Sequence, residues 1–262
     1  MATDALFKYI EEQQAERPWD RVLDAGTGEH SLRWVQSLDT TGWTAVTVDA
    51  TRTQEMLPKW EPLMRSSDQI VLGSWTDPDF LKGEQFDVVL VDYLIGAIDA
   101  FAPYFQNQIF ARLRPHVKDT LYMIGLEPFP DRPTEPAHQL IVELAKTMNA
   151  CRLLAGMRAY REFPASWAEY QLQQSSYVVE KTRHFGTIFR TRYLNSQVQG
   201  CFRTIDRLKE PDVARAMRSR VERIRDQLVP FANARQGIRL GSDYVITARL
   251  ASGTNAQPEA SS

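Results

Sequence analysis

Cysteine and histidine are scarce: two Cys and four His in 262 residues. Cys151 and Cys201 stand far apart, and no Cys/His spacing suits a metal. Neither a disulfide framework nor a metal site is expected, and both cysteines are read as small buried hydrophobes. No apolar run approaches the roughly 20 residues of a membrane span, so no membrane partner is expected. The opening stretch MATDALFKYIEEQQ has no basic region before an apolar core. That predicts no secretory leader and a cytoplasmic protein. Formal net charge is only −2. Without a strong global field, nucleic acid is not an expected partner.

What is present is an alternation of short apolar runs and amphipathic stretches. Residues 4–15 read as a helix, with Leu6, Phe7 and Ile10 at helical spacing. RVLDAG is a strand ending at glycine, and EHSLRWVQSL is the helix after it. WTAVTVDA, QIVLGS, FDVVLVDYL, TLYMIGLEPF, SYVVEKTRHF and DYVITARL supply six more strands. RTQEMLPKWEPLMR is helix-like but broken by Pro58 and Pro62. FQNQIFARLRPHV and PAHQLIVELAKTMNACRLLAG are further helices. Such an alternation means a parallel sheet with helices on both faces. About 55 residues separate the last two strands, too many for a plain loop. Residues 186–242 are therefore read as a helical insertion, with Val213, Met217, Val221, Ile224 and Leu228 on one stripe. One domain is expected over 1–250, followed by a disordered polar tail at 251–262.

The turn after the first strand, Asp24-Ala25-Gly26-Thr27-Gly28, lets backbone approach a ligand at a helix start. A dinucleotide fingerprint needs a third glycine, and here that place is Ser31. Glu29 would also set a carboxylate where phosphates sit. A cationic ligand suits these acids better. LDAGTG resembles the first motif of the class I S-adenosylmethionine-dependent methyltransferases, and the resemblance runs over roughly residues 20–250. It implies a Rossmann-like, seven-stranded, mostly parallel sheet whose last strand is antiparallel and lies between the fifth and sixth. It implies S-adenosylmethionine as cofactor and in-line methyl transfer to O, N or S of a small molecule. A nicotinamide-nucleotide oxidoreductase and a catalytically silent binding protein are the alternatives.

On this resemblance Asp24, Ala25, Gly26, Thr27, Gly28 and His30 are cofactor residues; His30 replaces the usual small residue. Asp49 would grip the ribose hydroxyls, although it could also cap the next helix. Ser74 and Trp75 would meet the adenine. Asp92 and Tyr93 end the fourth strand, where ligands bind in open α/β sheets. Asp92 could orient the acceptor, hold the cofactor's ammonium or cap a helix. Tyr93 could flank the methyl group or pack in the core. The Pro-Pro expected there in amino-methylating nucleic-acid enzymes is missing. Glu127 ends the fifth strand and is expected beside Asp92, where two carboxylates could bind an amine. Asp92, Tyr93 and Glu127 are the catalytic candidates. Tyr160, Trp167, Tyr170, His184 and Tyr193 are substrate candidates, and no metal is expected. The insertion holds 12 Lys/Arg against five Asp/Glu, a local net charge of +7. Its position before an antiparallel strand puts it over the substrate mouth as a lid. Its arginines would then face an anionic substrate.

Overall fold

Period-two runs of apolar residues become strands, and each strand's length fixes what lies at the sheet's edge. The computed structural model describes residues 4–251. The expected tail therefore falls, from residue 252 onward, outside the described residues. The strands are β1 (Arg21–Asp24), β2 (Gly42–Thr47), β3 (Gln69–Leu72), β4 (Phe86–Asp92), β5 (Val117–Leu126), β6 (Tyr177–Phe189) and β7 (Ile238–Leu250). They form one sheet in the order β3-β2-β1-β4-β5-β7-β6. β7 is antiparallel to both neighbours, and the other pairings are parallel. This is a Rossmann-like α/β fold.

Nine helices surround the sheet among the described residues: α1 (Ala5–Gln14), α2 (Glu29–Ser37), α3 (Ala50–Trp60), α4 (Leu94–Phe101), α5 (Ile109–Leu113), α6 (Pro136–Leu154), α7 (Ala165–Gln174), α8 (Thr191–Ile205) and α9 (Pro211–Ala234). β4 explains why the most apolar run lies centrally. Val88 and Leu90 pack with α1 and α2 through Phe7, Ile10, Leu32 and Val35. Val89 and Val91 face the other way, toward Ile95, Ile98, Phe110 and Leu172 of α4, α5 and α7. A strand covered on both faces has no polar positions to alternate.

Several sequence expectations change here. α4 was not visible as a helix because LIGAIDAF is apolar all round, with Asp99 its single charged residue. It simply extends the apolar run of β4. α7 was hidden inside an aromatic-rich stretch. α3 runs through Pro58, and the break comes at a 3-10 turn over Glu61–Leu63, where Pro62 sits. His116, expected at the surface, is buried. Its Nδ1 lies 2.9 Å from the Glu84 carbonyl and its Nε2 lies 2.9 Å from Arg112 Nη1. Burial lowers its pKa.

A third core lies apart from the two sheet faces. Ala137, Ile141, Leu144 and Cys151 of α6 pack with Val198 and Cys201 of α8 and Val221, Ile224 and Leu228 of α9. Both cysteines are free and buried there. β6 and β7 are longer than the sequence suggested. Their pairing continues past the Leu126–Asp243 end of β5 to Phe189–Ile238. The overhang of residues 238–242 is about 16 Å at strand rise. It carries the α8–α9 cap above the carboxyl ends of the parallel strands.

Candidate active site

Backbone hydrogen bonds hold the glycine turn in place. Ala25 N–H donates to the Leu90 carbonyl at 2.9 Å, and Thr27 N–H donates to the Val46 carbonyl at 2.7 Å. From the turn after β3, Trp75 Nε1–H donates to the Ala25 carbonyl at 2.6 Å. Trp75 is thus a buried strut as well as a wall. Gly26 has no room for a side chain: a Cβ there would lie 2.6 Å from Leu94 Cδ1. Gly28 caps α2, and its N–H donates to Ser31 Oγ at 2.9 Å. A donor that a phosphate would want at this helix start is already engaged.

A cleft of about 190 Å³ opens beside this turn. The turns after β1, β2 and β3 and the start of α4 line it. Gly26, Thr27, Asp49, Ser74, Trp75 and Leu94 are among its walls, and Phe101, Phe105 and Tyr160 form an apolar side. Among the described residues lining it, Asp49 alone is charged. Asp49 precedes α3, and its carbonyl accepts from Thr53 N–H and Thr53 Oγ1, both at 2.9 Å. Its half-buried side chain lies at the cleft. Ser74 Oγ lies 2.7 Å from Thr76 Oγ1. His30 is exposed, leans on Phe7 with ring centroids 5.1 Å apart, and does not line this cleft.

Next to the cleft the sheet edge turns acidic. Asp24 is fully buried at the end of β1. Asp92 ends β4, and its Oδ1 is shielded from solvent with no hydrogen-bond partner among the described residues. Burial pushes the Asp92 carboxyl up to about 8, and the charges of Asp24, Asp4 and Asp243 push the same way. Asp243, on β7, accepts from Tyr93 Oη at 2.8 Å and from Thr187 Oγ1 at 3.2 Å. Its own carboxyl is raised, mainly by burial. Tyr93 sits in the left-handed region at φ 47°. An aromatic residue there stores about 1–3 kcal/mol of strain, a cost usually met at functional sites. Neither Asp243 nor Asp4 was predicted from the sequence.

Glu127 is not beside Asp92. Its Oε1 lies 3.0 Å from His184 Nε2 and accepts from the Ala165 N–H that starts α7, also at 3.0 Å. Glu127 therefore caps a helix and pairs a histidine on the opposite face of the sheet. His184 goes with it and away from Asp92. Trp167 stacks on Phe163 at 4.1 Å against the core, and Tyr170 is exposed. Tyr160 borders the cleft with the Arg152 guanidinium 4.0 Å above its ring. Tyr193 of α8 is half-exposed and close enough to Asp243 for that charge to help raise its phenol, after burial.

Four arginines of the expected face are engaged by neighbouring acids. Arg215 pairs with Asp212, Arg218 with Asp206, Arg220 with Glu143 and Arg225 with Asp226. Three of these arginines pair with acids of the insertion itself and one with an acid of α6. An anionic substrate loses that support.

No family model and no curated protein sequence matches the chain. Solved structures do. A candidate methyltransferase of Bacillus halodurans C-125 superposes with a TM-score of 0.59 at 13% identity, over 95% of this chain and 99% of that one. The cyclase SpnF gives 0.56 at 14%, over 95% and 80%. The mycolic acid cyclopropane synthase CmaA1, solved with SAH and CTAB, gives 0.50 at 13%, over 88% and 78%. At such identities the likeness concerns architecture, and it covers nearly the whole chain: this protein has the fold of the class I S-adenosylmethionine-dependent methyltransferases.

Proposed function

We propose that the protein is an S-adenosylmethionine-dependent methyltransferase acting on a small molecule. The observation that carries this reading is the charge pattern of the cleft. A nucleoside-sized groove has one carboxylate at the end of β2 and no Lys or Arg among its described lining residues. Acids also end β1 and β4, the strands that lead into the turn and the helix lining it. A dinucleotide's diphosphate would meet carboxylates and an occupied Gly28 N–H. A nucleoside bearing a sulfonium and an ammonium meets complementary charge. When bound, S-adenosylmethionine would supply a methyl group activated by the positive sulfur.

The chain's residues divide the remaining work. Asp49 accepts from ribose hydroxyls. Trp75, Leu94 and Phe101 enclose a flat apolar ring, with Ser74 at its polar edge. Asp24 and Asp92 offset the positive end. Tyr93 and Asp243 stand on the acceptor's side, and orientation there can contribute about 7–11 kcal/mol in favourable cases. The cap's position supports a small acceptor over a polymer. A fold alone does not fix chemistry, and the neighbour SpnF carries the name of a cyclase. Calorimetry with S-adenosylmethionine, its demethylated product and NAD tests the reading. Micromolar binding of the first two and none of NAD is expected. Heat with NAD alone overturns it. Release of the demethylated product in a screen of amines, phenols, thiols and carboxylates then separates an enzyme from a silent binder.

A further inference from the structure

The wall that would meet the cofactor's base is itself held by residues outside the cleft. Trp75 lines the cleft, and three of its neighbours do not. The Phe80 ring meets it edge-on with centroids 5.2 Å apart, and the His116 ring lies 5.6 Å away. The Arg112 guanidinium lies 5.7 Å from its ring centre. The backbone after Trp75 is irregular and closes on itself in tight turns. Asp77 N–H donates to the Ser74 carbonyl at 3.0 Å, and Phe80 N–H to the Asp77 carbonyl at 3.2 Å. Arg112, reaching over from α5, ties these turns to the body. Its Nη2 donates to the carbonyls of Asp77 and Phe80, both at 2.8 Å, and to that of Pro78 at 3.3 Å. Carbonyls outside regular structure need such donors, and the fixed fork of a guanidinium can serve several on one turn.

The same guanidinium fixes the state of a histidine. Arg112 Nη1 lies 2.9 Å from His116 Nε2, and the Glu84 carbonyl lies 2.9 Å from Nδ1. Arginine can only donate and a carbonyl can only accept. His116 therefore keeps Nε2 bare and its proton on Nδ1, and is neutral. A second proton on Nε2 would set one N–H against another and one positive charge against the next. The charged groups acting on His116 are Arg112 of α5 and Glu84 in the turn before β4, whose carboxylate lies 2.7 Å from Arg21 Nη2. Burial lowers the His116 pKa against the pull of the Glu84 carbonyl, and the Arg112 charge lowers it further.

We propose that Arg112 and His116 are a positioning pair for the cofactor's base: Arg112 holds Trp75 by its turn, and does so only while His116 Nε2 is free to accept. Base binding then weakens in acid, as His116 takes its second proton, although neither residue lines the cleft. The proposal rests on the methyltransferase reading for the identity of the base and stands by itself for the hold on Trp75.

The test uses the full chain and adenosine, which carries base and ribose without the charged end of the cofactor. Calorimetry measures its affinity at about pH 7.5 and about pH 5, on either side of the ordinary histidine range. Mass spectrometry follows hydrogen exchange of the amides of residues 74–82 at one pH. Arg112→Gln should weaken adenosine binding at least about 10-fold at the higher pH and speed that exchange by a similar factor. Arg112→Lys keeps the charge but loses the fork, and should weaken binding as well. In the unmodified chain affinity should fall at least about threefold between the two pH values. His116→Gln, whose amide oxygen can accept from Arg112 in both conditions, should abolish that fall. Unchanged adenosine affinity or unchanged exchange in folded Arg112→Gln overturns the proposal. So does an affinity that is flat with pH in the unmodified chain, or an equal acid fall in His116→Gln. If Arg112→Gln fails to fold, Arg112→Lys and the two pH profiles decide. If adenosine does not bind the unmodified chain but exchange of residues 74–82 quickens in Arg112→Gln, the cofactor reading fails and the hold on Trp75 stands.

Discussion

Two groups of acids occupy the same sheet edge on opposite faces, and they differ in how fully they are satisfied. On one face, Glu127 accepts from a helix N–H and lies against His184, and Glu169 accepts from Thr182. On the other, Asp92 keeps a shielded oxygen with no partner among the described residues and a carboxyl raised to about 8. Glu127 and Glu169 are satisfied without a ligand. Asp243 is satisfied too, by Tyr93 and Thr187, whereas the shielded Asp92 oxygen lacks a donor among the described residues. Glu127 and Asp92 both stand at strand ends, and burial together with the satisfaction of hydrogen bonds separates them.

Asp92→Asn is the sharpest way to break the contrast. It should weaken binding of the cationic cofactor by at least about 10-fold in calorimetry, the scale of one lost charged partner. It should also leave the protein more resistant to heat at pH 8, since an enclosed charge is gone. Unchanged cofactor binding together with lower heat resistance would mean that Asp92 is a structural acid like Glu127. Asp49→Ala should come next, costing about 1–3 kcal/mol of cofactor affinity without the gain in stability. Unchanged affinity would leave Asp49 only as a helix cap. Glu127→Gln should do the reverse. It should lower thermal stability by about 1 kcal/mol, discounted for its partial exposure, and leave cofactor binding unchanged.

The pH dependence follows from the raised carboxyls. Asp92 at about 8 and Glu162 at about 7 keep protons in the folded state that the unfolded chain has already lost. Stability should therefore fall as pH rises from about 4 to about 8. Melting curves from pH 5 to 8.5 should show this fall, flattened but not abolished in Asp92→Asn. The smallest effect expected is none. Neutralising Arg215, Arg218 and Arg225 together should leave turnover and its salt dependence unchanged, because these arginines pair within the cap.

The carboxyl ends of β1, β2 and β4 were legible in the sequence, and with them the places of Asp24, Asp49 and Asp92 at the sheet edge, because a glycine or a change of periodicity marks each one. The misplacement of Glu127 is a matter of parity. It lies three residues beyond Ile124, the partner of Asp92, and an odd step in a strand crosses the sheet. Finding that needs the register between strands, which no single run of residues carries. Asp243 read as the plain start of a strand because the overhang of β6 and β7 leaves no local mark. Asp4 read as a terminus of α1, and its approach to Asp92 is a purely long-range fact. α4 was lost for the opposite reason, an apolar surface too uniform to show a period.

The core beneath the cap has a consequence for how the protein can be cut. Ala137, Ile141, Leu144 and Cys151 belong to α6, far upstream of residues 186–242, yet they are covered by α8 and α9. Excising the insertion would strip those side chains, and each fully buried aliphatic group is worth about 1.5–3 kcal/mol. The insertion is therefore not a detachable module that evolution or an engineer could swap between chains at its two ends. Its boundary in space takes in a helix that its boundary in sequence leaves out, so any exchange of the roof must bring α6 along.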